Sequence, residues 1–425
     1  MDNSSNVKKQ NFTIPIIVMF LLFFMIAFVT NFAGSMGVIV KNQFGTSNAI
    51  AQLGTFANFI AYACMGIPAG IILRRNGYKF TSLLAVTVGF IGVGIQFLSG
   101  YAGSFAVYVT GALVAGFSMC LLNIVVNPML NTLGGGGNRG NRLIQWGGTL
   151  NSTGGTLAPI LLGYLIGGSV DAASVSDAAP AMIIAMAIFA VAFVVIMLTR
   201  IPEPHLETKE MRAAKTKDPH SPLSFRHFVL GAIAIFFYVG VEVGIPNTAN
   251  LYMTTPGDNG GLAMAPDLAG WFIGAYWFLM LCGRFIGGLL GGKVSSKAML
   301  SVTATVAILF LLCLIFVPVT STVHLHGADV PIKIVFATLC GLCTSVMWGA
   351  IFNLSAEGLG KYTPMASGIF MTLVCGGGIL PFFQNMLADG IGFVGSYWIV
   401  IFGFAYILFY ALVGCRNVNK DIPVE

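Results

Sequence analysis

The chain has 425 residues, 56% of them hydrophobic and only 8% charged, with a mean hydropathy of +0.87. A water-soluble globular protein carries roughly three times that charge fraction, so a soluble fold is excluded and the bilayer is the solvent. The formal charge of +6 invites a nucleic-acid partner, but the basic residues sit in short loops between apolar runs, so no nucleic acid is expected.

The chain begins MDNSSNVKKQ and then runs apolar from Phe12 to Val40. That run is too long for a signal-peptide core and reads as a retained first helix. Further apolar runs of about 20 residues start near Ile50, Phe80, Phe105, Gly147, Pro180, Phe228, Ala269, Ala298, Ile332, Ser367 and Gly395. The expectation is an all-α integral membrane protein of twelve transmembrane helices. Residues 199–227 are charged and proline-containing. They divide the chain into a six-helix bundle over 1–198, a connecting loop over 199–227 and a second six-helix bundle over 228–425.

Basic residues set the orientation. With both termini cytoplasmic, the inner side carries Lys8, Lys9, Arg74, Arg75, Lys79, Arg139, Arg142, Lys293, Lys297, Lys361, Arg416, Lys420 and the 199–227 cluster. The outer side carries only Lys41 and Lys333, together with Asp171, Asp177, Asp258, Asp267, Asp329 and Asp389. The eight cysteines lie in or at the end of apolar runs and read as small buried hydrophobes, and the Cys340–Cys343 pair has no second pair to make a metal site. No metal and no cofactor is expected. A weak internal repeat relates Gly154, Gly155 and Pro159 of the fifth segment to Gly377, Gly378 and Pro381 of the eleventh.

Polar side chains at bilayer depth are costly unless they face protein or water, so they mark candidate sites. In segment four, Asn123, Asn127 and Asn131 recur at helical spacing and form one stripe, interrupted by Pro128. The stripe is either an inter-helix hydrogen-bond ladder or a cavity wall for a polyhydroxylated solute, since one amide both donates and accepts. Asn31 in segment one, Asn151 in segment five, Asn353 in segment ten and Gln384 in segment eleven are further candidates, as are Tyr276, Trp277 and Trp348, whose rings suit the C–H face of a pyranose.

In segment seven, YVGVEVGIPNTANLY places Glu242 about 14 residues in, ~21 Å along at ~1.5 Å per residue and so near mid-membrane. Pro246 cannot donate to the Glu242 carbonyl, so a bend or opening is expected there. Asn247 and Asn250 follow it. Glu242 is a candidate for sugar binding, for coupling to a proton or sodium ion, or for a neutral structural contact. Arg284, near the inner end of segment eight, reads as snorkelling or pairing with an inner-loop acid. Arg74, Arg75, Arg284 and Pro246 are assigned gating or structural roles. No catalytic residue is identified.

These stretches resemble the major facilitator superfamily, and within it the fucose–proton symporter family, most closely the glucose/galactose permease branch. The resemblance rests on the order of IPAGIILRRNGYK (67–79), NPMLNTLG (127–134), NSTGGTLAP (151–159), YVGVEVGI (238–245), YWFLMLCGRFIGG (276–288), SVMWGAIFNLSAEGLG (345–360) and the 366–392 run. It implies two six-helix bundles around a cavity that opens alternately to each side. It implies a sugar substrate, a bacterial inner membrane location and a segment-seven carboxylate at Glu242. Asn127 and Asn151 match motif positions. The family's first-helix acid is replaced here by Gly34, and the fucose branch's segment-four Glu by Asn123.

The expected function is secondary transport of a neutral glucose/galactose-type hexose by a monomer, coupled through Glu242. An uncoupled uniporter is the alternative, and an exporter of amphipathic compounds a more distant one. The sequence reads as no enzyme.

Overall fold

The computed structural model describes residues 12–44, 53–165, 175–204, 206, 219–325 and 327–424. Helices dominate because a backbone in hydrocarbon must satisfy its own N–H and C=O groups. In chain order they are α1 (Thr13–Phe44), α2 (Leu53–Ala102), α3 (Phe105–Leu133), α4 (Gly137–Leu165), α5 (Ala179–Leu198) and α6 (Arg226–Thr254). There follow α7 (Pro266–Leu290), α8 (Ser296–Phe316), α9 (Ile332–Thr344), α10 (Met347–Ala356), α11 (Thr363–Thr372) and α12 (Gly376–Phe409).

Among the described residues, nine stretches are long and apolar enough to cross a membrane. Two of them, one in α2 and one running from α11 past α12, far exceed one crossing. Each kinks at a glycine: Gly77 in α2 (φ 84°, ψ 178°) and Gly392 in α12 (φ 81°, ψ 160°). Only glycine takes that backbone readily. The kinks fall just ahead of the apolar runs that start at Phe80 and Gly395. At Gly77 the restarted helix is capped by Glu203, whose carboxylate accepts from the Tyr78 and Lys79 N–H groups. The Lys79 ammonium in turn donates to the Met197 and Thr199 carbonyls at the end of α5, at 2.7 and 2.9 Å. Burial pushes the Glu203 carboxyl above its ordinary range, and the two amides and the Lys79 charge oppose that.

One feature departs from the helical expectation. The loop carrying His324 forms a short antiparallel hairpin, β1 (Thr322–Leu325) with β2 (Ala328–Pro331), which turns at Gly327 (φ 75°).

Glycines set the closest helix approaches, as membrane packing favours. Gly154 of α4 lies against the Phe24 carbonyl of α1, and Gly376 of α12 against the Phe236 carbonyl of α6. These are equivalent contacts in the two halves of the chain, offset by one residue from the Gly154–Gly377 alignment read from sequence. Across the halves, Gly66 and Gly70 of α2 pack on Gly368 of α11, and Gly287 and Gly288 of α7 pack on Gln145 and Trp146 of α4. Both contacts lie at the ends of these helices that carry the basic loops. Trp146 packs under Gly288 and meets Phe285 edge-on at 5.3 Å. At the same end the C-terminal tail folds back. Arg226 N–H donates to Asn419 Oδ1 at 3.1 Å, and Lys361 N–H donates to the Val424 carbonyl at 2.8 Å.

Candidate functional site

Arg284 of α7 bridges to α4, α6 and the α9–α10 turn. Its guanidinium donates to Glu242 Oε1 on α6 at 3.1 Å, and to Gly148 O, Asn151 Oδ1 and Ser152 Oγ on α4 at 3.3, 3.2 and 2.9 Å. Its Nε reaches the Ser345 carbonyl at 3.4 Å. The Arg284 and Glu242 side chains are 11% and 13% exposed, so the pair is largely desolvated. This corrects the sequence expectation for Arg284. The residue neither snorkels nor pairs with a loop acid, because the nearest carboxylate on its own face is the mid-helix one.

Two breaks in regular helix supply the acceptors around it. The turn between α9 and α10 leaves the Ser345 carbonyl to accept from Arg284, while the Val346 carbonyl accepts from Gln145 Nε2 at 2.8 Å in addition to the Ala350 N–H at 3.2 Å. Pro246 leaves the Glu242 carbonyl without its helical donor, and the Tyr276 hydroxyl fills the vacancy at 3.1 Å. Helix α6 therefore continues through Pro246 without the opening that the sequence led one to expect. Tyr276 also meets Thr344 Oγ1 at 3.3 Å, and the Tyr238 hydroxyl lies beside Glu242 and Arg284.

The asparagine stripe joins this cluster. Asn123 donates to the Tyr62 hydroxyl at 2.9 Å, and Asn127 donates back to the Asn123 carbonyl at 2.9 Å. The Trp348 indole N–H donates to Asn127 Oδ1 at 2.9 Å, and its ring lies 6.2 Å from that of Tyr238. Asn151 closes the other end by donating to the Phe23 carbonyl of α1 at 2.8 Å. Two hydrogen-bonded groups, Tyr62–Asn123–Asn127–Trp348 and Glu242–Arg284–Asn151–Phe23, therefore form a polar layer from α2 to α1, and they meet where the Trp348 ring packs on Tyr238, whose buried hydroxyl has no hydrogen-bond partner among the described residues.

Not every candidate joins it. The side chain of Asn31 lies outside the described residues. Asn247 and Asn250 are exposed, and among the described residues no hydrogen bond links them to the layer. Trp277 is 41% exposed and its ring meets that of Tyr276 edge-to-face at 5.3 Å, although helical spacing puts it on the face of Arg284 two turns away. Asn353 is bonded to Ser296 at 2.9 Å, toward the basic loops. Gln384 is fully buried against Gly244, and neither amide atom has a hydrogen-bond partner. Arg74 and Arg75 flank the Gly77 kink, away from the layer. Residues that sequence reading missed are Tyr62, Gln145 and Tyr238. The Gln145 amide in NRLIQWGG was the one legible signal, since it sits where an apolar run begins.

The description "Major Facilitator Superfamily" fits residues 18–382. The chain belongs to this superfamily. It is thus a multi-pass membrane transporter with the all-helical facilitator fold, not an enzyme. A glucose/galactose transporter of Brucella abortus is 30% identical over 96% of each chain. The L-fucose–proton symporter of Escherichia coli is 24% identical over 91% of this chain and 89% of that one. A solved structure of the fucose–proton symporter FucP in the outward conformation superposes with a TM-score of 0.79 at 21% identity, over 94% of this chain and 98% of that one.

Proposed function

We propose that this chain carries a neutral hexose of the glucose/galactose class across the bacterial inner membrane by alternating access. The observation that carries this is the polar layer. It offers amides, hydroxyls and indole N–H groups next to aromatic faces, which suits a solute rich in hydroxyls. Relatives named as glucose/galactose transporters support the same class. An exporter of amphipathic compounds would need an apolar wall where the asparagines stand.

Twelve spans are obtained when the helices kinked at Gly77 and Gly392 are each counted as two crossings, α9 with α10 as one, and α11 with the part of α12 ahead of Gly392 as one. The bundles then cover 1–198 and 228–425, joined by 199–227, with both termini cytoplasmic and the chain acting as a monomer. In this arrangement the substrate meets Asn123, Asn127, Asn151, Glu242, Tyr276 and Trp348.

Coupling runs through Glu242, and a relative named as a proton symporter supports a proton as the co-ion. A second reading is uniport. It is favoured by the bond from Arg284, since the guanidinium already neutralises Glu242 and competes with an arriving proton or sodium ion for it. Counterflow in proteoliposomes tests the substrate: labelled glucose or galactose accumulates, and no counterflow with any monosaccharide overturns the reading. Sugar-driven proton or sodium uptake tests coupling. If it is absent and Glu242→Gln transports fully, Glu242 is a binding or structural residue only.

A further inference from the structure

A cavity of about 280 Å³ opens between the halves at the basic-loop end. The end of α3 gives it Asn131 and Thr132, the following loop Gly135–Gly137, and the α10–α11 corner Asn353, Glu357 and Thr363. Its volume is close to the ~300 Å³ at which small-molecule pockets begin. Asn131 lies one helical turn beyond Asn127 on the same face of α3. A solute leaving the central layer toward the basic loops therefore passes the Asn127–Trp348 bond and meets this cavity next.

The wall has a defined chemistry. Two amides (Asn131, Asn353) and two hydroxyls (Thr132, Thr363) stand among glycine, alanine and proline, Glu357 is the single acidic residue, and among the described residues no ammonium or guanidinium lines it. The loop glycines all have positive φ (77°, 70° and 51°), a conformation that keeps side chains out and lets a ligand approach the backbone. Asn353 is 5% exposed, and its Nδ2 is held by Ser296 at 2.9 Å, while its buried Oδ1 has no partner. A buried carbonyl oxygen without a donor is costly and uncommon, and it marks a place where a donor is missing.

We infer that this cavity is a second binding site for a neutral, hydroxyl-rich solute, occupied on the basic-loop side of the central layer. Asn131, Thr132 and Thr363 bind the hydroxyls of a sugar, and the unpartnered Asn353 Oδ1, buried in the wall, takes a donor from one of them after a small side-chain shift. The site deepens the sugar-transport reading and takes its ligand class from it.

Two measurements on the full chain test it. In vesicles of both orientations, the galactose KM is measured from each face for Asn353→Leu and, as a milder change, Thr132→Val. The site predicts a several-fold rise from the basic-loop face and no change from the opposite face, whereas Asn127→Leu raises both. Equal effects on the two faces, or none, overturn it. Independently, Thr132→Cys is alkylated by an impermeant maleimide from the basic-loop face, above the wild-type background. D-glucose is expected to protect it, and the absence of protection overturns the site. Protection in a protein that carries no monosaccharide would defeat the transport reading and leave the site standing.

Discussion

The seam at the basic-loop end and the polar layer at the centre join the same two halves by opposite means. The seam is built on glycines: Gly66, Gly70 and Gly368 bring backbones together, and Gly287 and Gly288 make room for the Gln145 and Trp146 side chains. The layer consists of side chains, with one guanidinium reaching α4, α6 and the α9–α10 turn. Close-packed glycines have two states, together or apart, because any added atom clashes. A hydrogen-bonded layer can exchange its partners one at a time for those of a solute. The difference assigns gating to the seam and recognition to the layer.

The largest expected effect comes from filling the seam. A Cβ at Gly66 would meet Thr372 Oγ1 and stand 2.6 Å from the Gly368 carbonyl. Gly66→Leu is therefore expected to abolish hexose counterflow and to hold the basic-loop end open. Faster maleimide labelling of Thr132→Cys from that face is the check. Unchanged transport would show that the seam is not a gate.

Next comes the layer. Arg284→Ala leaves Glu242 buried without its partner and is expected to lower stability by about 3–5 kcal/mol, read as a fall in melting temperature in detergent. Removing Glu242 as well is expected to recover most of that loss. Smaller again, Trp348→Phe removes the donor to Asn127 Oδ1. It is expected to raise the hexose KM and to cost about 1–3 kcal/mol of stability. The smallest effect is a control within one half. Glu203→Ala removes the cap at Gly77 and is expected to cost about 0.5–2 kcal/mol with little change in KM.

Much of this was legible before the structure. Hydropathy gave the runs, and the kinks at Gly77 and Gly392 fall where it separates them. The spacing of Asn123 and Asn127 gave a stripe, and both residues lie in the layer. The missing donor at Pro246 was legible too, but not its replacement, since Tyr276 is 34 residues away and nothing local pairs them. Arg284 was misread for the same reason. Depth along its own helix said "inner end", while its partner was fixed by how α6 and α7 cross. Asn247 and Asn250 follow Pro246 in the sequence, yet they are exposed and stand outside the layer. Gln384 shows the opposite case, in which sequence found a polar residue and the structure leaves its amide buried without a partner.

The central claim is that Arg284 joins the halves through the layer that recognises the sugar, beyond merely stabilising the fold. Labelled-glucose counterflow by the Arg284→Ala/Glu242→Ala double variant, beside wild type in proteoliposomes, tests it most directly. The account predicts a melting temperature close to wild type and no counterflow. Full counterflow by the double variant would contradict it.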